Sequence, residues 1–204
     1  MTSLMDIIAS MLFGSMLFMI VLTSNDIASE TQTVYSGDML VQEMLTSTVQ
    51  LMEGEFRNMG YGVPRNQRTI LSADSSSISY LSSLSEGAAP DTITYWLGST
   101  AELYETQNEM DRFLYRRING GTSLRVGAVT IFKLTYSAQS GELLPTPVAW
   151  DRLTEIYSVE LSVEVQNPYA PSRVASMVQT GERSALYSSS LWQQTRLASM
   201  NLRR

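Results

Sequence analysis

The stretch Ile7–Leu22 carries no charge and consists mainly of Ile, Leu, Met, Phe and Val. As a helix it spans about 24 Å. Adding Leu4 and Met5 brings it close to the roughly 30 Å hydrocarbon core of a bilayer. Its apolar residues run all round, so burying one side against a globular core leaves the other side in water. Lipid or a bundle of like helices satisfies it better. A secretory signal peptide would open on basic residues, and none precedes this run. Its cleavage signal would be no better than Ile27-Ala28-Ser29.

One acid, Asp6, sits at the head of this run. Ser3-Leu4-Met5-Asp6 reads as a capping box, with Ser3 as N-cap and Asp6 reaching back to a free N–H. A carboxylate also favours the positive end of a helix dipole. The other reading is that an acid at a membrane edge needs a cationic partner, such as an N-terminal amine. The two readings are compatible.

Charge is distributed unevenly along the 204 residues. Seven acids and no Lys or Arg precede Arg57, whereas 14 bases and 13 acids follow from there, so the net charge of −6 sits on the N-terminal quarter. No basic run tracks a phosphate backbone, and nucleic acid is not indicated as a partner. The chain has neither histidine nor cysteine. That removes Ser-His and Cys-His nucleophiles, disulfides and the commonest metal ligands. Lys133 with a serine is the remaining dyad option, but no glycine-flanked serine elbow accompanies it. Asp91, Asp111 and Asp151 lack calcium-loop spacing. The expectation is a protein that is not an enzyme, with no cofactor, metal or small-molecule substrate.

Apolar residues recur at Val41, Leu45, Val49, Met52, Phe56 and Met59, in helical steps of three and four. An amphipathic helix is therefore expected from about 27 to 59, with a kink or fresh cap at Thr23-Ser24-Asn25-Asp26 and a stop at Gly60, Gly62 and Pro64. From Gln67 the period changes to two. Strands are expected near Thr69–Ser72, Ser77–Leu81, Thr92–Leu97, Arg112–Arg117, Ala128–Tyr136 and Ile156–Val165. A hairpin bends at Asn119-Gly120-Gly121, and a register shift falls near Ser158. The Ser-rich tracts 72–85 and 184–190 read as loops or edge strands. Trp96, Trp150 and Trp192 are expected in sheet core or edge, although one of them as an adhesive surface is the other option. The basic tail after Leu191 reads as a last strand or a short helix. The resulting fold class is α+β: a helix whose first half is apolar (1–25) and second half amphipathic (26–62), packed on an antiparallel sheet domain (63–204).

This layout resembles type IV pilins and type II secretion pseudopilins, most closely the PilW-type minor pilins and J-type minor pseudopilins. The start TSLMDIIAS is similar to the pilin N-terminus, and Asp6 falls where that family places its glutamate when Thr2 opens the mature chain. In LMEGEFRNMGYGVP, the residues Glu55, Arg57, Gly60 and Tyr61 match the helix-end pattern of the PilW kind. The segments DTITYWLG, RFLYRRI, VTIFKLTYS and EIYSVELSVEV follow the family's sheet order. Asp in place of Glu, and Met1 where the family's leader ends in glycine, are departures.

The resemblance implies a structural subunit held in the inner membrane by one span, its sheet domain outside. It implies later assembly with other pilin-like subunits into a periplasmic or cell-surface filament. Thr2, Ser3 and Asp6 would then form the assembly terminus, the acid pairing with a neighbour's N-terminal amine. Asp26, Glu30, Asp38 and Glu43 would face cations of neighbouring subunits, with Arg112, Arg116 and Arg117 as candidates. The alternative is a membrane-anchored extracytoplasmic ligand-binding or scaffold domain that does not polymerise.

Overall fold

A computed structural model describes residues 2–85, 89–106, 108–169 and 190–203. Among the described residues one α-helix, α1 (Thr2–Arg57), precedes nine strands, and the fold is α+β. The strands are β1 (Ile70–Ala73), β2 (Ser77–Ser82), β3 (Asp91–Leu97), β4 (Arg112–Ile118), β5 (Leu124–Val129), β6 (Ile131–Ala138), β7 (Leu143–Leu144), β8 (Ile156–Gln166) and β9 (Ser190–Leu197). The rest of the Ser-rich tract 184–190 ahead of Ser190 lies outside the described residues.

The helix runs through Thr23–Asp26 unbroken, so the expected second cap is absent. Thr23 Oγ1 instead donates back to the Met19 carbonyl at 2.9 Å, satisfying its hydroxyl inside the helix. At 56 residues the helix is about 84 Å long, far longer than the domain beneath it needs. Its end is sharp. Gly60 and Gly62 take φ of +77° and +71°, the left-handed region. A Cβ on Gly62 would stand 2.7 Å from Ser83 Cβ, and one on Gly60 would stand 2.9 Å from Thr69 Cγ2. The Gly60 N–H donates to the Leu81 carbonyl at 2.8 Å, tying the turn to β2.

The sheet domain differs from the single sheet expected. Strands β1 to β5 form one antiparallel sheet in sequence order, and a second sheet runs β7-β6-β8-β9. The run expected as one strand over 128–136 divides at Thr130. Its N–H and hydroxyl both donate to the Glu164 carbonyl, at 2.9 and 3.1 Å, which turns the chain from the first sheet into the second. Strand β2 is interior, not the loop or edge its serines suggested. Its alternate residues Ile78 and Tyr80 are fully buried, and Ser79 shares a 3.0 Å hydrogen bond with Thr94 across the strand pair. The Asn119-Gly120 bend and the register shift beside Ser158 both occur. The tail supplies both a strand, β9, and a short 3-10 turn, Met200–Arg203.

The lower half of α1 buries Val41, Leu45, Val49, Met52 and Phe56 against both sheets. Phe56 meets Tyr80 and Tyr95 edge-on, each at a centroid distance of 5.8 Å. The sheets are joined by backbone: Leu134 N–H donates to the Ser75 carbonyl and Val148 N–H to the Ala73 carbonyl, both at 2.8 Å. The upper half has no such cover. Every described side chain from Ser3 to Ser29 is exposed.

Candidate functional site

The exposed half of α1 is the first feature with functional content. Leu12, Phe13, Leu17, Phe18 and Met19 are each about two-thirds exposed. The helix is long and apolar enough to cross a membrane, with a mean hydropathy of 2.1 over its most apolar window, no part of which is buried within the chain. Stable proteins rarely leave so large a continuous apolar surface uncovered.

The helix already begins at Thr2, so Ser3 lies within it and does not cap it. Asp6 lies beyond the first turn, where the dipole's influence has faded. The capping box expected from Ser3 and Asp6 is therefore not formed. Asp6 is exposed and has no ion-pair or hydrogen-bond partner among the described residues.

The second feature is the junction that fixes the helix on the domain. Glu55 projects from α1 beside the apolar stripe. It receives Arg116 of β4 through both oxygens, at 2.6 Å from Nη2 and 3.0 Å from Nε. This is the bidentate geometry that a guanidinium fork favours. The Tyr95 hydroxyl of β3 donates to the same carboxylate at 2.5 Å. Both charged side chains are about 15% exposed. Burial drives the Tyr95 phenol well above its ordinary pKa, and the adjoining Glu55 carboxylate adds to this. Burial alone would lower the pKa of Arg116, but the bond to Glu55 more than offsets it. Tyr80 lies beside this cluster, its buried hydroxyl near the Glu55 carboxylate but outside close hydrogen-bonding geometry.

Arg116 was a candidate for pairing with a neighbouring subunit, and the fold commits it to Glu55 of its own chain. Arg112 also faces inward, with a buried Nε that has no partner. Of the three candidate cations only Arg117 is exposed on the outer face. At the helix end, Arg57 reaches Glu53 at 3.5 Å on the surface, a weak pair. Gly60 forms the turn, and Tyr61 is half exposed, its carbonyl accepting from Ser83 N–H at 2.8 Å. Asp26, Asp38 and Glu43 are exposed on the stem, while Glu30 is half-buried. Sequence reasoning missed Tyr95. The available signal was Glu55 itself: an acid flanking the stripe Met52–Phe56–Met59 requires a donor from whatever covers that stripe.

The tryptophans are not core. Trp150 and Trp192 are 62% and 68% exposed, and Trp96 lies on the outer face of the five-stranded sheet. Lys133 is exposed on β6 with Ser162 opposite it in register. A cleft of about 240 Å³ beside Val63–Ile70 and Leu153 is lined by Arg65, Arg68 and Asn201 but by no acid. No group of three metal-ligating side chains occurs among the described residues. No family model matches the chain, and no curated protein or solved structure matches it either.

Proposed function

We propose that the chain is a structural subunit of a type IV pilin-like filament or secretion system, assembling through its N-terminal helix. The observation that carries this reading is the division of α1. One continuous helix is clamped to its own domain along Val41–Phe56 and left bare along Leu4–Leu22. A plain membrane anchor needs about 20 apolar residues and tolerates a flexible join to its domain. Here the anchor continues rigidly into the domain's core, so a force on the apolar half is transmitted to the sheets. That suits a subunit whose apolar helix leaves lipid for a bundle of identical helices, since packing drives association in both settings. The inner membrane would hold the chain first, with the sheet domain outside the cytoplasm and the filament in the periplasm or at the cell surface.

Asp6 is the only charge before Asp26. In a water-poor bundle it requires a cation, and a neighbour's N-terminal amine has the right charge and place. Asp6→Asn is therefore expected to leave the sheet domain folded and the chain in the membrane fraction, yet to remove it from sheared filaments. Unchanged incorporation of D6N would falsify the pairing. A wild-type chain that never leaves the membrane would favour the non-polymerising anchored domain instead.

A further inference from the structure

The outer face of the five-stranded sheet carries a continuous row of rings and guanidinium groups. Alternation sends Tyr95, Leu114 and Arg116 toward the helix, and Trp96, Phe113, Tyr115 and Arg117 away from it. Arg117 sits 5.1 Å from the Trp96 ring centre. Trp96 stacks on Tyr115 at 5.3 Å and 15°. Tyr115 meets Phe113 edge-on at 6.1 Å, and Arg125 covers Phe113 at 4.3 Å. The Tyr115 hydroxyl donates to Glu102 at 2.5 Å and so occupies that carboxylate.

Two consequences follow from this stacking. The ring faces are largely covered by one another and by the guanidinium groups, so little free face remains for a sugar or a base. A guanidinium lying over a ring turns its in-plane N–H donors outward, and those left over from the Arg125–Tyr115 contact suit a carboxylate. Among the described residues Arg117 and Arg125 have no carboxylate at ion-pair distance, as is also true of Arg65, Arg68 and Arg112, whereas Arg57, Arg116, Arg152 and Arg196 all do.

The complementary surface is on the same molecule but out of its own reach. The solvent side of the stem exposes Asp38 and Glu43, about 7.5 Å apart along the axis. Beside them Tyr35 and Met39 are 67% and 71% exposed. No base lies before Arg57 to compete for these acids. The stem packs on the inner side of the sheets, so it cannot reach the outer row of its own chain.

We infer that the Arg117–Trp96–Tyr115–Phe113–Arg125 row docks the stem of a second copy of this chain, with Asp38 and Glu43 on the two guanidinium groups and Tyr35 and Met39 against the rings. This rests on the filament-subunit reading. The matching of charge selects the pairing, and Met and Tyr against aromatic edges add contact.

The test replaces Tyr35 with a benzophenone amino acid in the full-length chain in its native membrane and irradiates it. A dimer adduct mapping to β3 or β4 is expected. R117E/R125E should reduce it by about tenfold or more, and D38R/E43R on the partner copy should restore it. All four sites are on the surface, and retained protease resistance of the sheet domain checks that the variants fold. An adduct mapping to another face, one indifferent to the reversals, or one to a non-protein polyanion overturns the inference. A chain that enters filaments without this adduct also overturns it while leaving the filament reading intact. A chain absent from filaments overturns that reading itself.

Discussion

At the residue scale, two tyrosines flank Phe56 and differ in one hydrogen bond. Tyr95 donates to the Glu55 carboxylate at close range, and the Tyr80 hydroxyl lies near it without a close hydrogen bond. A hydrogen bond to a charged group contributes about 1.5–3 kcal/mol, while an orphaned buried hydroxyl contributes none and carries a desolvation cost. Tyr95→Phe is thus expected to destabilise the domain by about 2 kcal/mol. Tyr80→Phe is expected to be neutral or to stabilise it by up to about 1 kcal/mol. Urea unfolding followed by tryptophan fluorescence separates the two, and equal losses would contradict the hydrogen-bond assignment. Glu55 and Arg116 were both legible as important, but not as each other's partner. They lie 61 positions apart, and only the packing of α1 across β3 and β4 brings them together.

At the scale of elements, the long helix was legible because its signal is local and repeated: steps of three and four along Val41–Met59, then glycine and proline. The strands were legible for the same reason. What escaped was every feature set by distant hydrogen bonding. The alternation changes phase at Ile131-Phe132, but only the Glu164 carbonyl, which takes both Thr130 donors, shows that the strand ends there. Serine content made β2 look peripheral, although each serine on its outer face has a neighbour to bond or to cover it. The left-handed turn after α1 yields a direct prediction. Gly62→Ala combines a φ of +71° with a Cβ approach of 2.7 Å to Ser83. A loss of more than about 1 kcal/mol is expected in the same unfolding assay. An unchanged midpoint would mean the turn relaxes freely and does not fix the helix on β2.

At the scale of the whole molecule, titration and assembly are the quantities to follow. Asp111 is only 2% exposed, and one of its oxygens has no partner. Burial pushes its carboxyl up to about 6, the charge of Glu109 adds to this, and a bond to Thr106 opposes it. The folded chain therefore holds a proton that the unfolded chain has already released. Stability should fall as pH rises from about 4 to about 6, and Asp111→Asn should flatten that slope. Denaturation midpoints at pH 4.5 and 7 test this, and an equal slope in the variant would assign the titration elsewhere.

The bare helix was the most legible part of the candidate site, because sixteen uncharged residues admit few fates. Its lack of cover within the fold leaves assembly or lipid to supply it. The most direct measurement is mass spectrometry of the N-terminal peptide from chain recovered in the sheared-filament fraction of its native cell. The filament account predicts recovery there, with the chain beginning at Thr2 and its free amine set to meet a neighbour's Asp6. Chain confined to the membrane, with Met1 retained or with cleavage near Ala28, would contradict it.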